Sequence, residues 1–234
     1  MIFYQLLERL EFMHTNNLIH RDLKPENIMM GLGSSSNIVH LIDFGLTRSI
    51  IDTKTGAHIP FVKGKNLIGT CRYVSYNAHL GYELSRRDDL LTLGNVMLYF
   101  LKGRLPWQSH KISKNSARFR ALGERKRHHY ETDLFDGSPS VFKHYMQYCT
   151  ALKFEEMPSF VKLKQMIMMA AKKVHIDLLD NVFDWSELLT RNVRHGSDRN
   201  VKFNSKCEVR DRNDFAAQWR ERGQGSKMKR FTSQ

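Results

Sequence analysis

His20-Arg21-Asp22-Leu23-Lys24-Pro25-Glu26-Asn27, followed sixteen residues after Asn27 by Asp43-Phe44-Gly45, decides how this chain is read. Pro25 breaks any helix and sets the first string in a loop. The residue types suit one chemistry, transfer of a phosphoryl group from ATP to a hydroxyl. That reaction needs a group to orient the hydroxyl, cations against the phosphates and oxygen ligands for Mg²⁺. Asp22 supplies an acceptor for the hydroxyl proton. Lys24, two residues on, supplies a point charge for the transferred group. Asn27 offers a neutral oxygen and Asp43 a charged one, a donor set suited to a cation that keeps part of its water shell.

On the N-terminal side, Phe3, Leu6, Leu7, Leu10, Met13 and His14 recur at helical spacing with Glu8, Arg9 and Glu11 between them. On the other side, Ile28-Met29-Met30 and Val39-His40-Leu41-Ile42 read as two short strands around a Gly- and Ser-bearing loop, Gly31–Asn37. From Asp43 to Tyr76 no period emerges, a length of irregular chain that usually carries function. The remainder reads as helices. Asp88 to Lys102 is apolar and closed by Gly103 and Pro106. Ser138-Pro139 reads as a cap and first turn for a helix with Phe142, Tyr145, Met146, Cys149 and Leu152 on one face. Phe160 to Val174 presents Leu163, Met166, Ile167 and Ala170. The expected fold is mainly α, with a short β-hairpin carrying the two loops.

The chain has 234 residues, 41% hydrophobic, with a formal charge of +13. That composition supports a packed core, and the charge favours anionic partners. Residues 191–234 hold 12 Lys and Arg against 5 Asp and Glu, and their apolar residues lack a period. They are expected to form a basic, disordered tail with a short helix near Asp214–Glu221, leaving a domain over residues 1–190. Cys71, Cys149 and Cys207 are odd in number and dispersed, a poor disulfide framework, which points to a reducing compartment. Leu90–Leu101, the most apolar run, is interrupted by Thr92, Gly94 and Asn95 and is shorter than the ~20 residues that span a bilayer. The expected setting is cytoplasmic, with nuclear entry open to the basic run Glu124-Arg125-Lys126-Arg127-His128-His129. That run otherwise reads as a solvated turn.

The two opening strings together are the signature of the protein-kinase catalytic and metal loops. The chain further resembles the casein kinase 1 family. His58-Ile59-Pro60-Phe61, the run Lys65 to Tyr73 and Ser85-Arg86-Arg87-Asp88-Asp89-Leu90 carry the likeness, as do Leu105-Pro106-Trp107-Gln108 and Val182-Phe183-Asp184-Trp185. Ser75-Tyr76-Asn77 stands where most kinases carry Ala-Pro-Glu and where this family has Ser-Ile-Asn. The resemblance covers residues 1 to 189 and is strongest to about 108.

It implies the large, C-terminal lobe of a Ser/Thr kinase that uses ATP and Mg²⁺. Asp22, Lys24, Asn27 and Asp43 are the implied catalytic residues, with Lys24, Asn27 and Asp43 facing the nucleotide and Asn27 and Asp43 holding the metal. His20, Arg21, Thr70 and Asp89 are implied supports. Asp89 would be the buried carboxylate under the catalytic loop, while Asp88 reads as an ordinary solvated acid at a helix start. Arg72 is implied to bind an acidic or phosphorylated group of a protein substrate. Arg118 is implied to assist, although Asn115 and Ser116 stand where the family has further basic residues. Cys71, beside Arg72, reads as a small packed residue. No Gly-rich loop, strand Lys or partner Glu precedes His20, so the expectation is a truncated kinase with little activity of its own. An apolar face on the opening helix and the strands would then be left uncovered. Two other readings stay open, a non-catalytic module that docks phosphorylated proteins and a basic tail that tethers nucleic acid or a membrane surface.

Overall fold

The structure, a computed structural model, describes residues 1–108, 116–180, 182, 183 and 185. The expectations for the tail 191–234, for Cys207, for Asn115 and for Asp184 lie outside the described residues. The chain opens with α1 (Ile2–Thr15), β1 (Leu18–Ile19), β2 (Ile28–Met30), β3 (Val39–Leu41) and β4 (Arg48–Ser49). It continues with α2 (Tyr76–His79), α3 (Arg86–Lys102), α4 (Ser116–Glu131), α5 (Ser140–Ala151) and α6 (Phe160–Lys173). The mainly α expectation holds, and the strands form two antiparallel pairs, β1 with β4 and β2 with β3.

The apolar stripe of α1 does what its spacing requires. Leu6, Leu7 and Leu10 are fully buried, and the helix packs on α3 and α6. Each such side chain contributes roughly 2 kcal/mol through its removal from water. α3 is the central element, with Leu90, Leu91, Leu93, Val96 and Leu98 fully buried and α5 on its other side. It begins at Arg86, and Gly103, at φ 72°, ends it by returning its N–H to the carbonyl of Tyr99. A smaller core of Ile19, Ile50, Ile59, Val74, Ala78, Leu84 and Phe154 lies under the irregular segment that follows β4.

The β2–β3 hairpin pairs Ile28 with Leu41 and Met30 with Val39, close to the expected strands. A three-residue hairpin cannot hold itself in water. Buried Gln5 of α1 supplies a brace: its amide donates to the carbonyl of Asn37 (2.9 Å) and accepts from the N–H of Val39 (2.7 Å). Arg9 Nε donates to the carbonyl of Val39. β4 lies inside the stretch expected to be irregular, because a two-residue strand leaves no period to read.

Three expectations need correction. The basic run at 124–129 is no solvated turn. It belongs to α4, which buries Gly123, Lys126 and Tyr130 at helical spacing. A Cβ at Gly123 would stand 2.8 Å from Cβ of His79 and 3.1 Å from the carbonyl of Tyr76, so glycine there lets α4 close on α2. Asp88 is not solvated but buried. α5 starts at Ser140 with Pro139 at its cap position, and the Ser138 hydroxyl caps nothing. Among the described residues no helix is long and apolar enough to cross a membrane.

The Gln5 brace leads to a direct test. Gln5→Met keeps the volume but strands the N–H of Val39, and is expected to cost about 1–3 kcal/mol in urea unfolding. Amide exchange should rise in residues 28–41 before it rises in α3.

Candidate active site

The loop from His20 to Asn27 has little secondary structure of its own, so its backbone donors need partners elsewhere. Asp89, in the first turn of α3, provides two. Its Oδ2 accepts from the N–H of His20 (2.8 Å) and its Oδ1 from the N–H of Arg21 (2.9 Å). His14, at the end of α1, places Nε2 3.0 Å from Oδ2. Burial by itself would raise the Asp89 carboxyl. The bonds from His14, Arg21 and His20 overcome it and hold the group below the ordinary range. Arg21 takes a left-handed φ of 69°, which turns the chain so that Asp22 faces outward from this support.

Asp22 is held at both oxygens. Thr70 Oγ1 donates to Oδ1 (2.8 Å) and Lys24 Nζ to Oδ2 (2.9 Å). Burial pushes its pKa up, and the bonds from Lys24 and Thr70 outweigh that and leave it lowered. Lys24 is shifted the other way, chiefly by Asp22 and further by Asp43, so it stays protonated. Asn27 is buried and donates Nδ2 to the carbonyl of Asp22 (2.9 Å), while its own carbonyl accepts from the N–H of Ile42 (3.0 Å). That bond brings Asp43, the next residue, beside the loop. Asp43 is exposed at φ 62°, with Oδ1 accepting from the N–H of Gly45.

His20 ties the two strings together. Its Nδ1 accepts from the N–H of Asp22 (3.3 Å), so the ring proton sits on Nε2, which donates to the carbonyl of Ile42 (3.2 Å). The ring also packs on Phe44, centroid to centroid 5.5 Å.

Mg²⁺ is a fair match to these residues. The Asn27 amide spends its donor on Asp22, which leaves its side-chain oxygen as the group to offer, and Asp43 adds an exposed carboxylate beside it. Both are hard oxygen donors. Among the described residues no group of three or more His, Cys, Asp or Glu gathers as a metal cage.

The segment 69–74 forms the other wall. Gly69, at φ 88°, passes so near the loop that a Cβ would meet the carbonyl of Arg21 at 2.4 Å. Thr70 then starts a turn, its carbonyl accepting from the N–H groups of Tyr73 and Val74. Arg72 is exposed, with its guanidinium over the rings of Tyr73 (5.8 Å) and Tyr99 (6.0 Å). Arg118 is also exposed, on the first turn of α4, and among the described residues no hydrogen bond or ion pair joins it to Arg72. The Cys71 thiol is pushed up by burial, the opposite of an activated thiol.

Several side chains that hold this geometry were not singled out from sequence. Asp88 accepts from Ser75 Oγ (2.7 Å), Asn77 Nδ2 (2.9 Å) and the N–H of Ser85 (2.9 Å). The Ser-Tyr-Asn string is therefore a clasp on α3. Glu83, buried, binds Arg48 (2.8 Å) just after the Asp43 turn and Lys65 (3.0 Å). The signal for Asp88 was its place beside Asp89 with two polar partners eleven and thirteen residues upstream.

Asp89 also sets an acid response. A carboxyl held below its unfolded value near ~3.9 contributes stability that is complete above that value and lost as pH falls through the folded one. Asp89→Asn is expected to cost about 3 kcal/mol or more at neutral pH. The gap to wild type should shrink as pH falls below about 4 and wild type protonates. Urea unfolding across pH measures both.

Against this geometry stands one comparison. The family model described as the protein kinase domain matches residues 1–176, three quarters of the sequence. The matched span takes in both loops, the 69–74 turn and α1 to α6, in a mainly α arrangement like that of a kinase's large lobe. On its sequence match and its fold, the chain belongs to the protein kinase family.

Proposed function

We propose that this chain is a Ser/Thr kinase of casein kinase 1 type, moving the γ-phosphate of ATP to Ser or Thr of acidic or already phosphorylated proteins. The observation that carries the reading is the setting of Asp22, with Thr70 and Lys24 on its two oxygens and Asn27 on its carbonyl. Asp22 is ionised at neutral pH and aimed by fixed partners. It orients the substrate hydroxyl and receives its proton late, as that oxygen joins phosphorus and the bond to the departing diphosphate opens. Lys24 neutralises charge on the transferred group. Mg²⁺ bound through Asn27 and Asp43 would offset the remaining phosphate charge.

The substrate preference rests on Arg72. Hydrogen bonding to Tyr73 and the neighbouring aromatic rings keep its guanidinium charged, and a guanidinium matches a phosphate bidentately. Arg118 is proposed as a second cation for the same group. The casein kinase 1 assignment rests on the strings from His58 to Gln108 and on the Ser75–Asn77 clasp. A cytoplasmic or nuclear setting goes with dispersed, unpaired cysteines such as Cys71 and Cys149.

The reading gives these residues the phosphate and substrate sides of the site. A second reading, a non-catalytic module that docks phosphoproteins, gains support because the backing of Arg72 does not involve Asn27 or Asp43.

Transfer of labelled phosphate from ATP and Mg²⁺ to an acidic protein tests the first reading. Asp22→Asn should lower the rate about 10²- to 10⁴-fold, and a rate unchanged by that substitution would sink it. Arg72→Gln should weaken binding of a phosphoserine peptide about tenfold while leaving the melting temperature in place. Peptide binding that survives Asp43→Ala, with no turnover by the wild type, would favour the docking module.

A further inference from the structure

The turn that carries Thr70 and Arg72 has no ladder to satisfy its carbonyls, and buried side chains receive them instead. Trp107 Nε1 donates to Arg72 (2.8 Å) and Asn95 Nδ2 to Tyr73 (2.8 Å). Lys126 does most. Its Nζ lies 2.9 Å from the carbonyl of Cys71, 3.3 Å from that of Arg72 and 2.8 Å from that of Val74, and it sits 5.0 Å over the ring of Trp107. The residue is fully buried, and a lone buried ammonium is costly unless its hydrogens are met. Here three carbonyl dipoles and a ring face meet it.

We propose that Lys126 is a positioning residue for the substrate side of the site, gathering the Cys71, Arg72 and Val74 carbonyls so that the turn presents Arg72 outward and the Thr70 hydroxyl to Asp22. The proposal deepens the kinase reading, because Thr70 and Arg72 matter through the roles assigned to them there. One end of the turn is tied to Asp22 by Thr70, and the other is tied to α4 by Lys126. A shift at the Lys126 end therefore moves both groups.

The charge on Lys126 gives this role a signature that packing alone lacks. Burial pushes its pKa down to about 7. Cys71, Tyr76, Tyr130, His79 and Arg72 around it do not share that window. Cys71 in the turn, Tyr76 in α2 and Tyr130 in α4 are all raised by burial and stay neutral. His79 in α2 donates Nε2 to the Cys71 carbonyl and is lowered to about 3, chiefly by burial and then by Lys126, so it too stays neutral. Arg72 is raised and stays charged. Across neutral pH, Lys126 is the member of this group that changes charge. A group whose folded pKa is lowered below its unfolded value weakens the folded state where it must be charged. From about pH 7 upward the penalty is progressively relieved, up to the unfolded value of 10.5, but the charge-assisted bonds to the turn are lost.

The test uses the full chain as wild type, Lys126→Arg and Lys126→Met, at about pH 6 and about pH 8.5. Amide exchange, corrected for its intrinsic pH dependence, is read in residues 69–75 against residues 28–41. A phosphoserine peptide is titrated in parallel. In wild type, protection of 69–75 should fall several-fold at the higher pH while the hairpin is unchanged, and peptide affinity should fall about fivefold. Lys126→Arg, charged throughout, should hold both constant. Lys126→Met, where it folds, should match the high-pH wild type at both pH values. Equal protection of 69–75 at the two pH values in wild type overturns the proposal, as does an arginine variant that loosens with pH as wild type does. If no form binds the peptide, the acidic-substrate reading fails while the exchange measurements still decide the role of Lys126.

Discussion

The carboxylate of Asp89 is the interaction on which the rest hangs. It is buried, so it persists as an ion only if its oxygens are filled, and they are filled by the chain ends that must meet. The ring of His14 comes from the end of α1, and the N–H groups of His20 and Arg21 come from the loop. Its place in the first turn of α3 adds the positive end of that helix. A loop with almost no ladder of its own is thereby referenced to the two helices that form the core.

Asp88, its neighbour, extends the same logic. Consecutive residues of a helix point about 100° apart. Asp89 thus addresses the catalytic loop while Asp88 addresses Ser75 and Asn77, at the far end of the substrate-side segment. Ser75 Oγ also accepts from the N–H of Ala78 and caps α2. One turn of α3 therefore sets the spacing between the two walls of the site. Burial raises Asp88 and the bonds around Asp89 lower it, so the adjacent acids answer pH in opposite directions.

The legible parts of the sequence were those with a period or a fixed string. The stripe of α1 and the closure of α3 at Gly103 follow from helix geometry. The meeting of Asp22 with Lys24 and Asn27 follows from their nearness in one loop. What stayed hidden was long-range polar pairing. Gln5 gives no sign of burial in the sequence, because its partners lie more than thirty residues away. Asn95 looked like an interruption of an apolar helix, yet it is fully buried and spans Tyr130 and the Tyr73 carbonyl. Lys126 disappeared in a run of charges, because only a helical frame over Gly123, Lys126 and Tyr130 separates it from exposed Arg127.

The two walls are held by opposite chemistry. The catalytic loop turns N–H groups inward, and a carboxylate receives them. The 71–74 turn presents carbonyls, and donors receive them: Lys126, Trp107, Asn95 and His79. The reversal follows from backbone direction, since a loop that turns donors inward needs an anion and one that turns acceptors inward needs donors. It has an electrostatic result. Behind Arg72 the protein has buried a lysine rather than an acid, so the support of the guanidinium does not compete for its charge. An arginine backed by a carboxylate would be partly neutralised before any phosphate reached it. With two aromatic rings against it, and its pKa raised chiefly by hydrogen bonding to Tyr73, it keeps its charge for the surface it faces.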